Sequence, residues 1–412
     1  MNHTSQIRYF SYLVTSIPLL LISGPLLTDI VISITSIWFL IIIFKNIKLR
    51  HYLIGQKHIR LLIFLFTTLI FSSLISDFKI YSLKNSLFLF RFLIFNLAVY
   101  YLCINNPRLL EYLFKVLLFI FILLITDSFF QYFFNINFFG MEKKNWSRLS
   151  GVFGDEYILG GYLSRFILLF FGLFFYLGPK LNKNIMFLIF ILAFILVFLS
   201  GDRAALGVMV VNSVIIYFFL EIKLKIKIFS IFFILICITF LTLENNKFKQ
   251  RILGTLKQIE INKYLIIGTD SHHKLQDIAI DIFQDNPIVG VGPKLYRKHC
   301  DSYNFYDNLG CENHPHNYFI QGMSEGGILT LIIFIYFYLL MCKILFLKIK
   351  LIKKNNSKQN IFIIILLLNL LLNFNPFLPT GNIFNNWLLA CLTFPIGFLL
   401  FLTSNENIKK FK

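Results

Sequence analysis

Charge is scarce in this chain. Only 14% of its 412 residues are Asp, Glu, Lys or Arg, and acidic residues number 20 against 39 basic ones. With 57% hydrophobic residues and a mean hydropathy of +0.74, too little polar surface is left to cover a water-soluble core, which excludes a soluble globular fold. Period-two alternation is also missing: the apolar runs are continuous and repeat at the length that crosses a bilayer core, roughly 18 residues. A membrane β-barrel is excluded on that ground, and helices are what remain, because backbone groups in lipid must be satisfied within the segment. The first run has only Arg8 before it and no small-residue cleavage site after it, so it is expected to stay as a transmembrane helix rather than be removed as a signal peptide. No internal repeat, inverted or direct, can be defended.

What is present is a basic excess of +19. In a soluble protein that excess would suggest nucleic acid. Here the lysines and arginines sit in short connectors between apolar runs, the pattern of cytoplasmic loops, and no nucleic-acid partner is expected. Twelve runs alternate: residues 9–22, 26–44, 61–75, 86–103, 116–134, 157–177, 185–199, 204–220, 228–243, 317–341, 361–374 and 383–402. If the connector with Lys45, Lys48, Arg50, Lys57 and Arg60 is cytoplasmic, the other strongly basic ones fall on the same side. These are Lys180 and Lys183; Lys223, Lys225 and Lys227; Lys343 to Lys358; and the tail lysines Lys409, Lys410 and Lys412. The expectation is an all-α, polytopic integral membrane protein with about twelve transmembrane helices in a single membrane domain over residues 1–412. Both termini are then cytoplasmic, and a large outer loop covers residues 244–315.

That loop concentrates the chemistry. Leu275, Ile278, Ala279, Ile282 and Phe283 mark one face of an amphipathic helix, ended by Asn286-Pro287 and followed by a turn at Gly290-Val291-Gly292-Pro293. Cys300 and Cys311 close a short loop on the side where disulfides persist, so a bridge is expected between them. His314-Pro315-His316-Asn317 is expected to open a helix with His316 and Asn317 in its first turn, where free N–H groups favour an anion and keep a histidine neutral. Two roles suit His316, a general base or a helix cap. Arg203 stands at the outer mouth of a helix after Ser200-Gly201-Asp202, either as a clamp on phosphate or as an interfacial anchor. Arg91 and Arg165 lie inside apolar runs, where pairing with Asp127, Asp155 or Glu156 would offset their burial. Two histidines and Cys300 give no compact ligand set, so no metal is expected.

NPIVGVGP, HPHNYFIQGMSEGG and the earlier SGDRAAL together resemble the O-antigen ligase and polymerase family, over roughly Ser200 to Gly327. The resemblance implies a bacterial inner-membrane enzyme of the C-type glycosyltransferase class, with a large periplasmic loop. It would be active in lipopolysaccharide biosynthesis and would transfer a glycan, metal-independently and with inversion, from a polyprenyl-pyrophosphate (undecaprenyl-type) donor. The acceptor is the lipid A core for a ligase and another lipid-linked glycan for a polymerase; a related member could modify proteins such as pilins. By position His316 matches the histidine that activates the acceptor hydroxyl, and Arg203 matches an arginine that holds pyrophosphate. Asn317, Glu325 and Gly326 match the residues around the histidine, with His314 beside it. Where members often carry an arginine and, one turn later, a tryptophan, this sequence has His272 and Gln276. His272, His273, Lys274 or Arg297 then takes over a phosphate contact. No cofactor is implied. The ligase reading leads because of the HPHN-type loop.

A transporter or flippase of the same lipid-linked glycans is the competing class. Transporters place their polar residues near the bilayer midplane and often show repeated halves, whereas the polar concentration here lies in one outer loop. A purely structural membrane protein leaves HPHN and Arg203 without a reason.

Overall fold

The computed structural model describes residues 2–144, 148–219, 223–244, 254, 258–262, 265–303, 310–352 and 357–404. Among the described residues, helix occupies most of each of the twelve apolar runs. In chain order the helices are α1 (His3–Leu20), α2 (Pro25–Lys45), α3 (Ile47–Gly55), α4 (Lys57–Ile75), α5 (Lys79–Ser86), α6 (Phe90–Asn105), α7 (Leu109–Phe134) and α8 (Leu159–Leu177). There follow α9 (Lys183–Leu199), α10 (Arg203–Phe219), α11 (Leu224–Glu244), α12 (Asp270–Asp285), α13 (Tyr296–His299), α14 (Tyr318–Ile352), α15 (Lys358–Asn373) and α16 (Asn386–Thr403). Among the described residues seven helical segments are long and apolar enough to cross a membrane, and α9, α10 and α15 are apolar but shorter. The chain is an all-helical, multi-pass membrane protein.

The break after α1 is at the expected place: a short 3-10 turn, Leu21–Ser23, leads to Gly24 at φ 102°, and Pro25 opens α2. One basic group needs correction. Lys343, Lys348 and Lys350 lie on the last turns of α14, which runs further than the 317–341 stretch, and not in a connector. Lys353, Lys354 and the tail lysines Lys409, Lys410 and Lys412 fall outside the described residues.

The core is largely aromatic and aliphatic. Phe121 and Phe170 stack with centroids 4.7 Å apart and Phe114 and Phe170 at 5.5 Å, joining α7 to α8; α8 packs on α15, and α16 packs on α6. At one end of the bundle, polar groups stitch the helices together. Arg91 pairs with Asp29 at 2.9 Å, and Asp29 also accepts from Asn386 Nδ2 at 2.7 Å, linking α2, α6 and α16. Arg91 is thus paired as burial requires. Its partner is Asp29, because Asp127 is instead engaged by the Phe138 N–H and Asp155 by Lys144. Arg165 also lacks the carboxylate partners expected of it: its guanidinium donates to the Gly161 carbonyl at 2.7 Å and bonds the Tyr318 side chain.

The long segment between α11 and α14 holds a two-residue antiparallel pair, β1 (Glu260–Ile261) and β2 (Ile267–Gly268), then α12. Leu275, Ile278, Ala279 and Ile282 of α12 are buried, as the amphipathic spacing predicts, and the helix packs on α14.

Candidate active site

Three segments meet at the N-terminal end of α14. The first is the Ser200-Gly201-Asp202 turn. It can seat itself on the start of α8 because Gly160 has no side chain: a Cβ there would lie 2.2 Å from Ser200 Oγ. Leu149 N–H donates to the Leu199 carbonyl, and the Arg148 guanidinium donates to the Ser200 and Tyr157 carbonyls. Asp202 Oδ1 accepts from Ala205 N–H at 3.0 Å and caps α10, so Arg203 is presented, exposed, as the first residue of that helix.

The second segment is the turn that follows α12. Gly290 (φ 68°) and Gly292 (φ 107°) make it possible, and it docks against α14 as though it were one more strand of backbone. Val291 and Gly292 N–H donate to the Ser324 and Glu325 carbonyls, and Ile328 N–H donates back to the Pro287 carbonyl. To accept this insertion α14 breaks at Gly327, where φ is 73° and ψ −174°, and a Cβ would lie 2.1 Å from the Ile288 carbonyl oxygen. The NPIVGVGP and SEGG stretches are therefore two faces of one joint. Glu325, fully buried, completes it: its carboxylate accepts from Lys294 N–H at 2.9 Å, Tyr296 N–H at 2.8 Å and Gln321 Nε2 at 3.1 Å.

The third segment carries the histidines. The disulfide Cys300–Cys311, sequence separation 11, ties it to the end of α13. His316 Nε2 lies 2.6 Å from Glu312 Oε2. The ring centroid of His314 is 4.2 Å from that of His316, and His272, from the first turn of α12, is 4.7 Å away on another side. Burial pushes the His314 imidazole down to about 3, and the neighbouring His316 acts the same way. His272 is pushed down to about 4, again chiefly by burial and then by His316, with Arg203 also contributing. Glu312 is held below the usual carboxylate range by its hydrogen bond to His316. Arg297 acts on His314 and Glu325 from the other side, and its Nε is buried without a hydrogen-bond partner among the described residues.

The structure departs from the sequence expectation at the start of α14. The helix begins at Tyr318. Asn317 is its cap, with Oδ1 accepting from Phe319 N–H at 2.9 Å and Ile320 N–H at 3.1 Å, and Nδ2 donating to the Pro376 carbonyl at 2.8 Å. His316 precedes the cap in the left-handed region, φ 54°, with its carbonyl accepting from Thr380 N–H. It is not in the first helical turn, and the N–H groups that would hold an anion there are already taken by Asn317. The fold thus brings His316, His314, Asn317, His272, Arg203 and Arg297 into one neighbourhood. It gives Glu325, Asn317 and the disulfide the task of holding that neighbourhood in shape. No group of three or more His, Cys, Asp or Glu side chains among the described residues is arranged to hold a metal ion.

Residues 188–335 match the sequence model of the family described as O-antigen ligase. Over this segment, 188–335 of 412 residues, the chain is similar to that family. No curated protein matches the chain. The O-antigen ligase match spans most of α9, all of the site segments just described and the broken half of α14, so that it covers both faces of the Gly290–Gly327 joint. The match supports a membrane protein of glycan assembly, of ligase or polymerase type. Two contributors to the site were not legible in sequence. Glu312 sits four residues before His316, a spacing that reads as nothing without a helix between them. The other is the connector between α15 and α16, which lies beyond the matched segment. It supplies the Thr380 and Pro376 contacts above and the Asn382 contact to Gln321.

Proposed function

We propose that this chain is a membrane glycosyltransferase of the O-antigen ligase type. It crosses the bacterial inner membrane twelve times with both termini in the cytoplasm. At its periplasmic face it transfers a glycan from a polyprenyl-pyrophosphate donor to a hydroxyl of the lipid A core. The acceptor oxygen attacks the anomeric carbon as the bond from that carbon to the phosphate oxygen breaks, inverting the sugar; the electron pair leaves with the pyrophosphate. His316 takes the hydroxyl proton, a contribution of about 10²–10⁴ in rate. The charge growing on the leaving group falls to Arg203, whose guanidinium fork matches phosphate geometry, with Arg297 beyond the histidines. His272, neutral at pH 7, offers a hydrogen bond in place of the missing arginine, not a charge. No metal enters the reaction.

The observation that carries this reading is the meeting of His316, its Glu312 partner and the Arg203-flanked His272 at the helix ends, inside the O-antigen ligase match. Surface polysaccharide from a deletion strain tests it, with complementation by wild type, His316→Ala or Arg203→Ala at equal membrane expression. Wild type restores the glycan, and both variants fail while full-length lipid-linked donor accumulates. Short, unpolymerised donor would assign the chain to the polymerases instead, and full complementation by His316→Ala would remove the catalytic assignment.

A further inference from the structure

The contact between Glu312 and His316 is not a helical i, i+4 pair, since neither residue is in a helix. It is made by a chain reversal secured from three directions. The disulfide fixes Cys311, immediately before Glu312. Thr380 N–H holds the His316 carbonyl while that residue occupies a left-handed conformation costing a non-glycine residue about 1 kcal/mol or more. Asn317 locks the following residue onto α14 and the connector after α15. So much restraint on one side-chain contact is difficult to account for if the contact is incidental.

The chemistry of the contact is specific. A carboxylate only accepts, so Nε2 must carry the hydrogen, which leaves the lone pair on Nδ1. No described residue hydrogen-bonds Nδ1, and the His316 side chain is 20% exposed. The groups facing it are otherwise cationic or neutral. They are His314 from the same loop, His272 from α12, Arg203 acting on His272 and Arg297 acting on His314. Glu312 alone opposes them among the charges acting on His272 and His314.

We propose that Glu312 is a positioning residue that fixes the tautomer and orientation of His316, directing Nε2–H to the carboxylate and Nδ1 to the acceptor hydroxyl. The role in transfer rests on the reading of His316 as the base; the tautomer does not. When Nδ1 takes the proton, the imidazolium stays paired with Glu312, and the carboxylate is not itself protonated. Glu312, 53% exposed and holding no backbone group among the described residues, can be replaced without disturbing the joint beneath.

The test uses full-length protein in lipid nanodiscs with ¹⁵N-labelled histidine, the His316 signals being identified by their loss in His316→Asn. Wild type is expected as the Nε2–H tautomer, whereas in Glu312→Gln the tautomers mix. In a transfer assay Glu312→Gln is expected to lower kcat by about 10–100-fold. KM for the donor stays unchanged and the acid limb moves to lower pH, with partial rescue by Glu312→Asp. An unchanged tautomer in Glu312→Gln overturns the proposal whatever the activity shows. A wild-type pH profile in Glu312→Gln, beside an inactive His316→Ala, overturns only the role of Glu312 and leaves the base assignment in place.

Discussion

At the scale of single residues, the site combines groups kept neutral by burial with groups kept charged by pairing. His272 and His314 both have folded-state values, about 4 and about 3, below the unfolded value of about 6.5. The unfolded chain therefore binds protons that the folded loop refuses. Their folded state is at full strength above pH 6.5 and loses stability as pH falls toward 4 and then 3. The melting temperature in detergent is expected to drop between pH 7 and pH 5, and His314→Gln is expected to flatten that slope. An identical slope in the variant would place its origin elsewhere. Glu325 answers to a different physics. Glu325→Ala would leave the Lys294 and Tyr296 N–H groups buried without an acceptor, at about 1–3 kcal/mol for each unmatched group. Amide exchange over residues 288–296 should rise sharply. Loss of activity in that variant reports the fold of the joint, whereas Glu312→Gln is expected to leave the same amides protected.

At the scale of elements, the interruption of α14 is what lets a loop reach the histidines. Gly327→Ala puts a Cβ against the Ile288 carbonyl and demands a left-handed backbone from alanine. The conformational part alone costs about 1–2 kcal/mol. A lower melting temperature and lower yield follow, and a fully stable Gly327→Ala would show that the joint opens without consequence. The hydropathy of residues 317–341 gives no hint of this break, because apolar side chains continue through it; Gly326-Gly327 is its only mark in the sequence. Other local features were readable for the opposite reason. The spacing of Leu275, Ile278, Ala279 and Ile282, the paired glycines before Pro293 and the placing of Arg203 at a helix mouth depend on near neighbours alone. The start of α14 was misplaced because a proline rule competes there with an asparagine cap, and the cap's partner, Pro376, lies 59 residues away. Cys300 and Cys311 are bridged in the structure. Cys300→Ser is expected to cost about 3 kcal/mol or less by loop entropy and to loosen Glu312 from His316, read as mixing of the His316 tautomers.

At the scale of the whole molecule, the helices deliver their chemistry to one end. α2, α6, α8, α10, α14 and α16 all begin near the Arg91–Asp29 pair, the Ser200–Asp202 turn or the histidine cluster, while α4, α7 and α9 finish there. The basic connector around Lys45 to Arg60 lies at the opposite end, between α2 and α4. Charge asymmetry then predicts an orientation without reference to the site: the lysine-rich end toward the cytoplasm and the histidines outward. Cysteine labelling in spheroplasts decides it. With Cys103, Cys237, Cys342 and Cys391 replaced, Ile288→Cys, at an exposed position of the joint, is expected to react with a membrane-impermeant maleimide. Gln56→Cys, in the basic connector, is expected to react only after the membrane is permeabilised. The reverse pattern would turn the site to the cytoplasm, where a disulfide at Cys300–Cys311 would not persist, and would remove the periplasmic transfer proposed for His316.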